Sequence, residues 1–178
     1  MKTELIVESE MKFGKFEDTD LFHIEDSKIY KELGAGIRTV EFILKHNENS
    51  ILFLEAKKSC PNPANRYESK EKAQKFEEYY SSITEKFIDS LQIYLAALLE
   101  KYEDTSDLGT NLKNMKSMQD IQLKFILVVK NAADISWLAG PLAELQDRMF
   151  KMRKIWHVKI AVLNEELAVE YNLINVNR

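Results

Sequence analysis

The stretch Ser50-Ile51-Leu52-Phe53-Leu54-Glu55-Ala56-Lys57 constrains the fold of this chain more than any other. Its apolar part is rich in β-branched and aromatic residues, the composition of a strand. Successive strand residues point to opposite faces. Here both alternations are apolar through Leu54, so the strand must be covered on both sides and must lie inside a sheet. The covering is readable downstream. From about 68 to 102, Phe76, Tyr80, Ile83, Phe87, Leu91, Tyr94, Leu95, Leu98 and Tyr102 recur at three- and four-residue steps, which predicts one long amphipathic helix.

The remaining segments extend this pattern. Thr39 to Leu44 is a second β-rich run, and polar residues 45–49 separate it from the first, which predicts a hairpin. Residues 103–120 read as a loop with a helical turn, and Ile121 to Val129 as another interior strand. Pro141 suits the first turn of a helix whose buried stripe is Leu142, Leu145, Met149, Met152 and Trp156. Val158 to Leu163 predicts a last strand. Asn164 is placed to cap a short closing helix, with Tyr171 and Leu173 packing it down. Residues 1–35 are less regular: Leu5 to Val7 and Phe13 to Phe16 read as extended, 20–33 as a strand entering a short helix, and Gly34-Ala35-Gly36 as a break. Strands separated by helices predict an α/β fold with a central mixed β-sheet flanked by helices. At 178 residues the expectation is one domain over 1–178.

Composition narrows the setting. Hydrophobic residues make up 45% and charged residues 30%, an ordinary globular balance. The lone Cys60 has no partner for an internal disulfide, and the start of the chain lacks an apolar export segment, so a cytoplasmic location is expected. No run of about 18 apolar residues occurs, so no membrane association is expected. A net charge of -4 argues against a protein that coats nucleic acid over its whole surface, and any such contact must be local.

The chemistry-bearing candidates sit on the predicted hairpin. Glu55 and Lys57 are two apart and leave the same face of their strand, and a tight turn would set Glu41 opposite Glu55. Strand interiors disfavour Glu and Lys. Two carboxylates with the Ala56 carbonyl offer the oxygen donors that Mg²⁺ or Mn²⁺ takes, and Lys57 stands ready to orient water or offset developing charge.

Over roughly residues 20–130 this arrangement resembles the PD-(D/E)xK nuclease superfamily, which has the restriction-endonuclease-like fold. In that family an acid on one strand is followed on the next by an acid-x-Lys triplet, then by a helix and another strand. Matched residue by residue, Glu41 is the first acid, Glu55 the second and Lys57 the lysine, and Glu25 is the nearest match for an acid on the preceding helix. The resemblance implies metal-dependent hydrolysis of phosphodiester bonds in a nucleic acid, with Glu25, Glu41, Glu55 and Ala56 holding Mg²⁺ or Mn²⁺. The chain departs from the family in having Glu rather than Asp at 41, with no proline before it. Gln92 and Tyr94 do not reproduce the spacing of the Gln and Tyr that some members carry on the helix after the triplet.

Other features have plainer readings. Acid-x-Lys also occurs at Glu10-Met11-Lys12, Asp26-Ser27-Lys28 and Glu68-Ser69-Lys70, so it is position at a strand end that singles out Glu55. Arg148, Lys151, Arg153, Lys154, His157 and Lys159 form a basic run that reads as a solvated helix face or a phosphate-contacting patch. His23, His46 and His157 have no zinc spacing, Cys60 has no evident base, and Trp137 and Trp156 are expected to pack. The alternative to a nuclease is a non-catalytic interaction domain on the same scaffold, including one that assembles as a homodimer.

Overall fold

The computed structural model describes residues 3–114, 118–132 and 134–175. Its centre is a five-stranded mixed sheet in the order β3-β4-β5-β6-β7, formed by Leu21–Phe22, Phe42–Asn47, Ser50–Lys57, Gln122–Val129 and Lys159–Asn164. The first three strands are antiparallel, and β5, β6 and β7 are parallel. The predicted α/β class and mixed sheet are therefore both present. A separate antiparallel hairpin, β1 (Thr3–Glu8) and β2 (Met11–Glu17), turns through Ser9 and Glu10, both at positive φ, the geometry of a two-residue hairpin turn.

The central strands separate two apolar layers by strict alternation. Ile51 and Phe53 of β5, Ile43 of β4 and Phe125, Leu127 and Val129 of β6 point to one face. Leu52, Leu54 and Ala56, with Phe42, Leu44, Ile126 and Val128, point to the other. The long helix α2 (Lys70–Leu98) covers the first face together with α1 (Lys28–Leu33), α3 (Thr110–Lys113) and α4 (Ala139–Arg148). The β1–β2 hairpin and α6 (Glu165–Glu170) cover the second. Ser69 caps α2 by accepting from Lys72 N–H, and 29 residues give the helix a length of about 43 Å. Its stripe meets the sheet through aromatic contacts. Phe87 stacks on Phe125 with ring centroids 4.8 Å apart, and Phe53 meets Tyr94 and Phe125 edge-on. Such pairs add about 0.5–1.5 kcal/mol each beyond burial. None of the described helices is long and apolar enough to cross a membrane.

Three local expectations are corrected. The helix after Pro141 is not continuous: α4 ends at Met149 (φ -98, ψ 20) and a second helix, α5 (Phe150–Trp156), starts there. That break changes the helix direction, so Leu145 and Met149 are buried while Trp156 is 43% exposed instead of completing the stripe. The long helix stops at Leu98, so Tyr102 packs against the core from the following loop. Tyr171 is exposed, and Leu173 and Ile174 take the buried positions expected of it. Asn164 does cap α6, accepting from Leu167 N–H at 2.9 Å.

Candidate active site

Registry in the β4–β5 pair decides what meets at the strand ends. Phe42 pairs with Leu54 and Ile43 with Phe53, so one step further along Glu41 stands across from Glu55. Glu41 N–H donates to the Leu54 carbonyl at 3.1 Å. Odd-numbered residues of both strands face α2, so Glu41, Glu55 and Lys57 all emerge beneath that helix. The segment carrying Glu41 is fastened to α2 as well. Val40 N–H donates to the buried Ser90 hydroxyl at 2.9 Å, and Arg38 N–H donates to Asp89. One helical turn before Ser90, on the same face of α2, is Lys86.

Lys86 of α2, which lies outside the acid-x-Lys pattern, also joins the cluster. Its Nζ lies 2.8 Å from Glu55 Oε1, donates to Oε2 at 3.1 Å, and is 3.9 Å from Glu41 Oε1. Lys57 Nζ is 2.7 Å from the same Glu55 Oε1. Glu55 is completely buried, whereas a third of the Lys57 side chain is open to solvent. Neither ammonium approaches Oε1 along a hydrogen-bonding direction, so this buried oxygen is held by charge alone. Lys86 could have been suspected from the sequence, because it lies three residues after Ile83 and four before Ser90, at the margin of the apolar stripe.

Electrostatics follow from this crowding. Burial, then the Glu55 charge, then a hydrogen bond with Glu25 push the Glu41 carboxyl up to about 9, with Lys86 acting in the opposite direction. Burial opposes the charge on Lys86, but Glu55, Glu41 and Glu25 outweigh it and hold the ammonium above its ordinary range. Glu8, at the end of β1, is raised by partial burial and by the nearby Glu25 charge. Glu25 itself sits in the 3-10 turn Ile24–Asp26 ahead of α1, not within a helix as expected, and it reaches the site through its contact with Glu41. The structure thus draws together Glu25, Glu41, Glu55 and Lys57.

The Ala56 carbonyl accepts from Ser9 Oγ at 2.9 Å, which brings the tip of the β1–β2 hairpin to the end of β5. Glu10 on that tip pairs with both Lys58 and Lys130. A carbonyl oxygen has two lone pairs, so one acceptor position remains. Carboxylates and a carbonyl are the donor types that Mg²⁺ and Mn²⁺ take, and in that respect the residues fit such an ion. Among the described residues, however, no three or more His, Cys, Asp and Glu side chains form a ready-made cage, and the cation touching Glu41 and Glu55 is Lys86. Burial raises the Cys60 thiol pKa, and its Sγ contacts Tyr80 Oη at 3.1 Å. Compared with protein-family models, curated proteins and solved structures, the chain matches none.

The raised Glu41 carboxyl has a measurable consequence. The folded protein keeps a proton that the unfolded chain releases above about pH 4.5, so stability falls as pH rises from there toward about 9. The slope from this one group is at most about 1.4 kcal/mol per pH unit. The raised Lys86 pKa contributes in the opposite region, its stabilisation being lost only above the ordinary lysine range, outside this window. Urea unfolding in EDTA between pH 5.5 and 8.5 should therefore show a steeper decline in wild type than in Glu41→Gln. Parallel pH profiles would mean that Glu41 is ionised throughout.

Proposed function

We propose that this chain is a metal-dependent nuclease of PD-(D/E)xK type built on a restriction-endonuclease-like core. The order of elements supports the reading: a short helix, an antiparallel strand pair with Glu41 just before its first strand and Glu55-Ala56-Lys57 ending its second, a long helix, and a strand parallel to β5. The single observation that carries it is the burial of Glu55 opposite Glu41, with Lys57 beside it at the solvent-facing end of the strand. Placing a charged group in a fully buried strand position costs several kcal/mol before its partners compensate. A strand end serving only as an exit into solvent has no need of it.

Glu41, Glu55 and the Ala56 carbonyl would hold Mg²⁺ or Mn²⁺, with Glu25 supporting through Glu41. When bound, the ion supplies charge that lowers the pKa of water and offsets charge developing at phosphorus. The chain's own groups do the rest. Lys57 reaches solvent while touching Glu55, so its ammonium is placed to orient an attacking water or stabilise the departing charge. Burial and the neighbouring Glu55 charge favour the protonated form of Glu41, and a bound ion would favour its carboxylate form.

One observation favours the second reading, a non-catalytic interaction scaffold. The Lys86 ammonium already contacts both oxygens of Glu55, so the charge is compensated without any ion. Calorimetric titration of Mn²⁺ into wild type and Glu55→Gln separates the two, with folding of the variant checked by circular dichroism. The nuclease reading expects binding heat in wild type and none in a folded Glu55→Gln. Absence of heat in both leaves the scaffold.

A further inference from the structure

The geometry points to a second nucleic-acid contact, a single-strand binding surface on α5, separate from the Glu41–Glu55 cluster. From Arg148 to Asn164 the chain contains no Asp or Glu, but carries Arg148, Lys151, Arg153, Lys154 and Lys159 with His157. Arg148 is spent on Glu77 and Glu144. Among the described residues no carboxylate pairs with Lys151, Arg153, Lys154 or Lys159, and Arg153 makes one long contact, to the Gln146 carbonyl at 3.4 Å.

A solvated basic face explains the cations but not what lies among them. No residue of α5 is fully buried, so Phe150, Ile155 and Trp156 stand at 55%, 68% and 43% exposure on one short helix. Exposed apolar groups gathered among unpaired cations mark a contact surface. Phe150, Arg153, Lys154, His157 and Val158 line a cleft of about 470 Å³, and the Lys154 ammonium lies over the Phe150 ring at 5.6 Å. An aromatic face beside several phosphate-seeking cations is the combination that holds single-stranded nucleic acid, with bases stacking and the backbone tracking the charges. The cleft between Phe150 and His157 suits a nucleotide unit better than a flat lipid bilayer.

Registry separates this surface from the candidate active site. Lys159, just after α5, is level with Lys124 and Leu52, whereas Glu55 is level with Leu127 and Val162. The two sites therefore lie at opposite ends of the parallel strands and two strands apart, on the order of 10 Å in each direction before the helix is counted. A strand bound on α5 would be anchored at a distance from Glu55, and its binding does not depend on the nuclease reading.

The test is fluorescence anisotropy in EDTA with a fluorescein-labelled oligothymidine of about 20 nucleotides. Wild type should bind saturably, and raising the salt from about 50 to about 200 mM should weaken binding roughly twentyfold if about three cations contact phosphates. The exposed double variant Arg153→Ala/Lys154→Ala should lose at least about tenfold in affinity and most of that salt dependence. Phe150→Ala should lose about tenfold with the salt dependence intact. Lys31→Ala, which removes an exposed cation on α1 away from both sites, should bind like wild type. Absence of saturable binding, unchanged affinity in both α5 variants, or an equal loss of binding in Lys31→Ala would each overturn the assignment. So would binding to phosphatidylserine–phosphatidylcholine vesicles without binding to the oligonucleotide, since that would make the patch a lipid contact.

Discussion

Lys57→Ala is expected to cut a labelled nucleic acid at least about 100-fold more slowly than wild type in Mg²⁺ or Mn²⁺ while keeping its fold. The rate effect follows from the role given to the ammonium: one donor aimed at developing charge is worth about two to three orders of magnitude. Retention of the fold follows from the geometry. Lys57 is partly solvent-exposed, and its removal leaves Glu55 still paired with Lys86 at 2.8 and 3.1 Å. A gel assay on single- and double-stranded DNA and RNA, with EDTA as control, measures the rate, and urea unfolding measures the fold. Equal rates in wild type and Lys57→Ala, or cleavage that persists in EDTA, would remove the proposed mechanism.

Lys86→Met carries the second large effect, and it acts on stability. Removing one partner of a buried ion pair leaves the other charge uncompensated, at a cost of about 3–5 kcal/mol. Lys57 remains beside Glu55, so the lower end, about 3 kcal/mol in EDTA, is expected. The same substitution removes the cation that touches Glu41 and Glu55 together. Mn²⁺ should therefore restore more stability to Lys86→Met than it adds to wild type, because a ligand stabilises in proportion to the logarithm of its concentration over Kd. Thermal unfolding of both proteins with and without Mn²⁺ reads this directly. A destabilised variant that Mn²⁺ does not rescue supports the scaffold, and a variant as stable as wild type would show that Lys86 does not hold Glu55 in solution.

The two predictions concern lysines that sequence reading treats very differently. Lys57 is legible because strand alternation is local: two residues apart means one face. The opposition of Glu41 and Glu55 is legible for a related reason, since a short polar turn between two β-rich runs leaves few registers, and the pair forms with Phe42 against Leu54. Lys86 belongs to a helix that begins only after a loop, and no local pattern says which strand residue it will meet. Its position at the margin of the apolar stripe shows that it is near the sheet, not that it touches Glu55. Glu25 lies between these cases: it is in the expected neighbourhood, but on a 3-10 turn, reaching the cluster through Glu41.

The same division explains the errors along the chain. The spacing of Leu142, Leu145, Met149, Met152 and Trp156 continues smoothly, so periodicity predicts one helix, yet the backbone turns at Met149 and exposes Trp156. Tyr171 and Leu173 are equally plausible anchors by composition, and only the path of the last turn buries Leu173 and leaves Tyr171 out. The β1–β2 hairpin, too polar to read as interior, forms a separate sheet whose tip reaches the candidate site through Ser9 and Ala56.

By itself, the sequence determined the α/β class, the interior position of the Glu55 strand, the long helix over it and the pairing of Glu41 with Glu55, because each rests on alternation or periodicity within one or two neighbouring segments. Only the tertiary structure decided that Lys86 pairs with Glu55, that burial pushes the Glu41 carboxyl up, and that α5 turns its aromatic and basic side chains outward. Those outcomes depend on how elements distant in the chain approach one another, and the energy of a buried charge or an exposed ring is set by that approach rather than by the residue's neighbours in sequence.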